Sequence, residues 1–431
     1  MRNRVLKNAG WIIGCQIIQS MIRLVIGLMT ARYLGPAGYG VISYAASVAA
    51  FVTPIMQIGF RNTLVKEFVD EPGQEGRILG SALIMNMISA VLCIIGSVSF
   101  VMLVHAGDRE TVIVCALYSL SLLFQAVETT QYWFQARLLS KYSSVAALVA
   151  YSAVSVYKIW LLVTKKDVVW FALSIGIEYF LLSVLLLLLY VKAGGQRLCV
   201  DWHTGKKLLS RSKYYILPAL MVMAFQHTDR IMIRLMIGER ETGLYAAAMT
   251  CVGMSSFVFS AILDSARPVI LEEKQRNQAL YEKRIIQLYS IITCLSVAQS
   301  VGMTLLARPL VFLLYGVEYA KTAGILAVAV WYVAFGYFGS VRNIWILAEN
   351  KQKYLSAING AGVLANILLN LCLIPLWGAA GAAVASVITQ FFTNVIVGFV
   401  CKPMAESNRL MIRGLHPKVL FELLDTAIHR H

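Results

Sequence analysis

Charge is scarce in this sequence. Asp, Glu, Lys and Arg make up 14% of its 431 residues while 59% are apolar, and the mean hydropathy is +0.70. A soluble domain carries about 25% charged and about 45–50% apolar residues, so a water-soluble globule is excluded. Clustered cysteines are missing as well: the eight (15, 93, 115, 199, 251, 294, 372 and 401) are scattered, mostly in apolar windows, with no C-x-x-C pair. They read as small hydrophobes, not as metal ligands or a disulfide frame. Nor is there a nucleotide loop. The densest glycine stretch, ARYLGPAGYGVISY from Ala31 to Tyr44, is spaced G-P-A-G-Y-G, which is neither G-x-G-x-x-G nor G-x-x-x-x-G-K-[ST]. No hydrophilic connection could hold a soluble domain; the two longest are Lys192 to Lys213 and Arg267 to Arg284. The first apolar window carries Arg23 at its centre and lacks a small-residue cleavage site, so it is expected to be a retained helix.

Long apolar runs are what the chain has instead. A bilayer core of about 30 Å needs about 20 apolar residues per helix. Twelve such windows follow one another: Trp11 to Leu34, Val41 to Gly59, Ile78 to Val104, Thr111 to Ala136, Ser143 to Val163, Val168 to Val191, Tyr214 to Ile237, Gly243 to Leu263, Ile285 to Leu305, Gly324 to Ala348, Tyr354 to Pro375 and Gly378 to Val400. An all-α polytopic membrane protein is expected. The net charge of +16 does not call for a nucleic acid partner, because its distribution explains it. With the N-terminus in the cytoplasm, 26 Lys and Arg fall in cytoplasmic segments and 7 in outer loops. That asymmetry is the positive-inside pattern. It predicts cytoplasmic termini, with part of the basic surplus resting on anionic membrane lipids.

The loop after the sixth window divides the chain into an N-terminal bundle, residues 1–200, and a C-terminal bundle, residues 201–401. Residues 402–431 form a tail whose Val419, Leu420, Leu423, Leu424 and Ile428 recur at helical spacing, which predicts an amphipathic cytoplasmic helix. A shift of 203 residues lays Gly35 on Gly238 and Gly40 on Gly243, each pair between the first and second windows of its half. Six helices per half give both halves one orientation, the parallel repeat of several transporter folds. Two pseudo-symmetric six-helix bundles around a central cavity are therefore expected.

Five basic side chains, Arg23, Lys158, Arg230, Arg234 and Arg342, fall inside predicted spans, where each costs about 2.5–3.5 kcal/mol at a helix centre. Arg234 is near enough to an outer end to snorkel; the other four are deep. Polar residues accompany them at helical steps: Gln16, Ser20, Arg23, Gly27 and Thr30 on the first helix, Gln125, Glu128, Tyr132 and Gln135 on the fourth, Met223, His227, Arg230 and Arg234 on the seventh, and Asn359, Gly362, Asn366 and Asn370 on the eleventh. Such seams line helix contacts or a wet cavity, because lipid satisfies no polar group. Two readings stay open. Glu128, Glu178 and Asp229 are also intramembrane and could neutralise the cations as structural ion pairs. Alternatively Arg23, Lys158, Arg230 and Arg342 line a cavity and bind an anion, for which guanidinium groups suit a diphosphate. His227 reads equally as a helix-contact histidine or a proton relay, and the Asn and Gln seams, with Gln390 and Asn394, as interhelical glue.

Five stretches carry a resemblance over residues 1 to about 400: ARYLGPAGYG, YWFQARLLSKY (Tyr132 to Tyr142), DRIMIRLMIGERETGLYAAA (Asp229 to Ala248), ARPLVFLLYGVEY (Ala307 to Tyr319) and LLNLCLIPLWGAAGAAVAS (Leu368 to Ser386). Together they resemble the Wzx-type polysaccharide flippases of the multidrug, oligosaccharidyl-lipid and polysaccharide exporter superfamily. The resemblance implies two six-helix bundles forming a V-shaped cavity, alternating access between leaflets, and residence in the bacterial cytoplasmic membrane. It implies an anionic polyprenyl-linked glycolipid as substrate, typically an oligosaccharide on undecaprenyl pyrophosphate, with a polymerase and glycosyltransferases as working partners. No cofactor or metal is expected. Some relatives couple to proton or sodium gradients, for which Glu128, Glu178, His227 and Asp229 are the candidates here. A lipid II flippase or a multidrug antiporter of the same fold are the alternatives; a polymerase or glycosyltransferase fits less well, because the outer loops are too small to carry a catalytic site.

Overall fold

The computed structural model describes residues 2–416 and Val419, with side chains described from Gly10 onward except Asn62. Among the described residues every regular element is helical. In chain order these are α1 Arg2–Met56, α2 Phe60–Asp70, α3 Glu75–Val104, α4 Arg109–Gln125, α5 Gln131–Ala136, α6 Ser140–Val163, α7 Val168–Lys192, α8 Trp202–Ser212, α9 Ile216–Met236, α10 Glu239–Gly253, α11 Ser256–Arg276, α12 Gln278–Leu305, α13 Ala307–Tyr315, α14 Thr322–Ala348, α15 Lys353–Trp377, α16 Ala379–Phe391, α17 Val397–Val400 and α18 Ala405–Gly414. Among the described residues, nine helical segments are long and apolar enough to cross a membrane, and the pair α10 and α11, bent by 44°, adds a tenth. One of the nine, Gly10–Met56, is broken at Gly35 and holds two expected spans. The remaining window falls on α9, whose Asp229, Arg230 and Arg234 lower its hydropathy. All twelve windows thus lie on helices, and the chain is a multi-pass membrane protein.

The helices form two compact units, Met1–Ile231 and Met232–His431, with the division inside α9. In the first unit α1 turns at Gly35, where φ is 66° and ψ 177°, a conformation open essentially to glycine alone. Pro36 follows, its fixed φ suited to the first turn of the resuming helix. In the second unit Gly238 has φ 130° and ψ −176° and ends α9 as Gly35 ends the first part of α1. The pair aligned by sequence therefore makes the same kind of turn.

The first unit has one apolar cluster around Phe60, Leu64, Trp133, Phe134, Tyr190 and Leu208, and another around Tyr44, Val48, Val101, Val114 and Tyr118. Beside the first, Glu75 opens α3 almost fully buried. It accepts hydrogen bonds from Trp133 Nε1 at 2.7 Å and from Arg137 Nε and Nη2 at 3.0 and 2.8 Å. Its charge is also favoured by the helix N-terminus. In the second unit α12, α14 and α18 meet around Tyr281, Tyr289, Trp345 and Met411. The polar seam on α15 is glue: Asn370 Nδ2 donates to Asn366 Oδ1 at 3.1 Å, and Asn366 Nδ2 to Ser386 Oγ on α16 at 3.4 Å.

Two expectations change. The seam from Gln125 to Gln135 is not one α-helical face, because Ala126–Thr130 is a 3-10 turn between α4 and α5; about 120° per residue replaces 100° there and rotates Glu128 off the line. In the tail, α18 packs Ser407, Asn408, Leu410 and Met411 into the second unit. The amphipathic pattern from Leu420 to Ile428 lies outside the described residues.

Candidate functional site

The first part of α1 brings Arg23 to α7, where its Nη2 donates to Glu178 Oε1 at 2.9 Å. The two are unequally placed: the Arg23 side chain is 53% exposed and Glu178 8%. From α6, the Tyr151 ring lies under the Arg23 guanidinium at 4.5 Å, and Lys158 Nζ stands 5.9 Å from the same ring. Both are cation–π distances. Seven residues, about two turns, separate Tyr151 from Lys158, so they share a helix face. Lys158 interacts electrostatically with Glu178 and Arg23, and so does Glu128 from the 3-10 turn. Four of the eight candidates therefore lie within electrostatic range of the Arg23–Glu178 pair in the first unit, two cations with two anions. The ion-pair reading is realised for Arg23 and Glu178, though incompletely. Among the described residues Glu178 Oε2 is buried without a hydrogen-bond partner, and a guanidinium has five N–H donors, so Arg23 keeps capacity for a second anion.

On α9, His227 Nδ1 lies 3.2 Å from Ser47 Oγ on α1, the helix-contact arrangement, while Asp229 is buried. Arg230 interacts with His227 electrostatically, and among the described residues its Nε is buried without a hydrogen-bond partner. Arg234 does not snorkel: it is 8% exposed and pairs with Glu239 at 2.9 Å. The break at Gly238 sets that carboxylate at the start of α10, within reach of the last turn of α9.

Arg342 belongs to the second unit and is committed to protein groups. It is 3% exposed. Its Nη1 donates to Thr393 O at 2.9 Å, and its Nη2 to Asn394 O and Asn408 Oδ1, both at 2.5 Å. Residues Phe392–Ile396 form a π-helical turn, whose wider loop takes carbonyls off the regular i to i+4 ladder. The guanidinium supplies donors at that turn. Asn408 completes the knot by donating Nδ2 to Val395 O at 2.7 Å, which ties α14, the π-turn and α18 together.

Sequence reasoning missed Tyr151, although its seven-residue spacing from Lys158 was a usable signal. It also missed the Arg342 knot, for which a π-turn leaves no periodic trace. A further cavity of about 430 Å³ in the second unit is lined by Ile237, Glu241, Lys321, Trp377 and Gly378; there Glu241 Oε2 accepts from Ala379 N at 3.3 Å. Among the described residues no three His, Cys, Asp or Glu side chains gather as a metal site.

Among the described residues the chain is a polytopic helical protein in two units, with glycine turns in register and charged residues held inside its spans. Comparison of folds finds the same architecture elsewhere. The chain is similar to the lipid II flippase MurJ in an inward closed conformation, at TM-score 0.76 and 14% identity over 96% of this chain and 92% of that one. It is similar to an inward-facing multidrug resistance MATE family transporter of the MOP superfamily, at TM-score 0.69 and 12% identity over 91% and 95%. A MOP superfamily transporter from Pyrococcus furiosus, described as having a binding pocket of reverse polarity, matches at TM-score 0.58 and 14% identity over 94% and 95%. No curated protein sequence matches. The model of the polysaccharide biosynthesis protein family matches residues 5–274, and the chain belongs to that family.

Proposed function

We propose that this protein flips a lipid-linked oligosaccharide, a polysaccharide repeat unit on undecaprenyl pyrophosphate, from the inner to the outer leaflet of a bacterial cytoplasmic membrane. The observation that carries the proposal is Arg23: an intramembrane guanidinium that is half exposed although a carboxylate and an aromatic ring hold it. A polysaccharide-biosynthesis family supplies the cargo class, and a pyrophosphate headgroup supplies the anion that Arg23, Lys158 and Arg230 are suited to bind. The tail stays in the bilayer while the headgroup crosses, and no covalent step is needed. Arg342, whose Nη1 and Nη2 donate to Thr393, Asn394 and Asn408, serves in this reading as a structural tie.

The arrangement also suggests how transport could be driven. An anionic headgroup that draws Arg23 off Glu178 removes that carboxylate's counter-ion, so a coupled cation such as a proton would restore the charge balance there. Glu128 is the second carboxylate in the group. His227 and Asp229 on α9 remain candidates for relaying the proton.

Reconstitution tests the reading. In liposomes carrying a fluorescent lipid-linked oligosaccharide, the protein should render the headgroup accessible to an externally added glycosidase, faster with a proton gradient. A protein that moves lipid II and leaves the oligosaccharide lipid untouched would select the alternative, which the likeness to the lipid II flippase fold keeps in view. Orientation is tested separately: a cysteine at Gly38 or Gly107 should be labelled from outside, and one at Ser210, exposed on α8, should not.

A further inference from the structure

The connection between α7 and α9 is strapped to the first unit. Its extended part crosses α3 at Gly76 and Gly80, where an added Cβ would collide with the carbonyl oxygens of Arg197 and Cys199. Cys199 N donates to Gly76 O at 3.2 Å, and Ser81 Oγ donates to Asp201 O at 2.9 Å. Helix α8 then lays Gly205, Leu208 and Ser212 against the unit. On this inner side the cations are paired: Lys207 with Glu71 at 2.6 Å and with Glu67 at 3.5 Å, and Arg211 with Glu67.

The outer side differs. Trp202, Lys206, Leu209 and Lys213 follow at steps of 4, 3 and 4 and are all exposed, with Tyr214 next to them. Among the described residues neither Lys206 nor Lys213 has a carboxylate partner, and neither does the exposed Arg197. Asp201, the one acidic residue of the strap, caps α8 through the amides of His203 and Thr204. Depth follows from helix length. The 30 residues of α3 span about 45 Å, against a hydrocarbon core of about 30 Å. Some 7 Å at each end thus lies among headgroups, which is where Gly76 and Gly80 hold the strap. Helix α8 also passes through a single 3-10 turn, Lys213–Tyr215, directly into the span of α9.

We propose that the outer face of α8 docks onto the phosphate headgroups of anionic membrane lipids, with Trp202 and Leu209 entering the interface and Lys206 and Lys213 contacting phosphate. Aromatic and basic side chains on one face of a helix lying at headgroup depth are the chemistry of an interfacial anchor. The surface does not depend on what the protein transports.

Photo-crosslinking tests this in nanodiscs holding the full chain. Photoactivatable phosphatidylglycerol should label the peptide containing residues 202–213 in preference to photoactivatable phosphatidylcholine. Replacing Lys206→Gln and Lys213→Gln together should weaken the phosphatidylglycerol labelling on the order of 30-fold, since each cation near an anionic surface contributes about fivefold. Lys206→Arg with Lys213→Arg should retain it, which separates lost charge from lost folding. Equal labelling by the two lipids, undiminished labelling of the glutamine variant, loss in the arginine variant, or displacement by inorganic phosphate would each overturn the proposal.

Discussion

Arg23 in the first unit and Arg342 in the second are alike by sequence: each is an arginine deep within an apolar window. Their surroundings differ. Arg23 shares one carboxylate and stays half exposed, whereas Arg342 donates three hydrogen bonds to two carbonyls and an amide and is 3% exposed. The cost of a deep charge can be offset by a partner that a ligand could replace or by backbone acceptors that no ligand can displace without opening the fold. Only the first kind leaves a site.

The comparison can be broken first at Arg342. Arg342→Ala strips donors from Thr393, Asn394 and Asn408 at once, and should destabilise the second unit by about 3–5 kcal/mol. The readouts are melting temperature in detergent and membrane protein level, and Lys should not rescue, because one ammonium cannot reproduce the planar fork. A wild-type melting temperature would remove the distinction drawn between the two arginines.

The glycine turns compare the units more evenly. Gly35→Ala and Gly238→Ala should each cost about 1–3 kcal/mol, because both place a side chain at positive φ with ψ near 180°. Thermal unfolding that spares one and not the other would show that the two turns are not equivalent.

A smaller effect is expected at the Arg23–Glu178 pair. Since Arg23 is 53% exposed, screening holds the coupling of Arg23→Ala and Glu178→Gln in a double-mutant cycle of stability to about 1 kcal/mol or less. Coupling of several kcal/mol would make the pair a structural tie like Arg342.

The smallest change concerns the strap. A hydrogen bond from Lys207, and its charge, hold the Glu71 carboxyl below its ordinary value, while Glu71 holds the Lys207 ammonium above its own. The Glu71 contribution is complete above the ordinary carboxylate range and is lost as pH falls through the lowered value; that of Lys207 is complete below the ordinary ammonium value and is lost as pH rises through the raised one. Amide exchange in α8, corrected for intrinsic rates, should therefore stay flat across neutral pH and quicken at either extreme; Lys207→Gln should remove the alkaline limb and reduce the acid one, whose remainder belongs to Asp201, held below its ordinary value by hydrogen bonds from Thr204 and His203.

Much of the fold was legible because hydrophobic windows and glycine turns are local signals. The windows fall on helices, and Gly35 and Gly238 adopt matching conformations. The seam on α15 was legible as glue, since Asn366 and Asn370 sit one turn apart. The rest depends on departures from the 3.6-residue period. The 3-10 turn at Ala126–Thr130 moves Glu128, the π-turn at Phe392–Ile396 engages Arg342, and the docking of α8 rests on Gly76 and Gly80, whose partner is an irregular strand far along the sequence. Of the candidate site, the intramembrane charges stood out in the sequence; which cations had been taken by the protein itself did not.

The most direct test of the central claim is surface polysaccharide output per amount of membrane-inserted protein, in cells carrying Arg23→Ala as their only copy. The account predicts that output is lost while the protein level stays at that of the wild type. Normal output from that variant would contradict it.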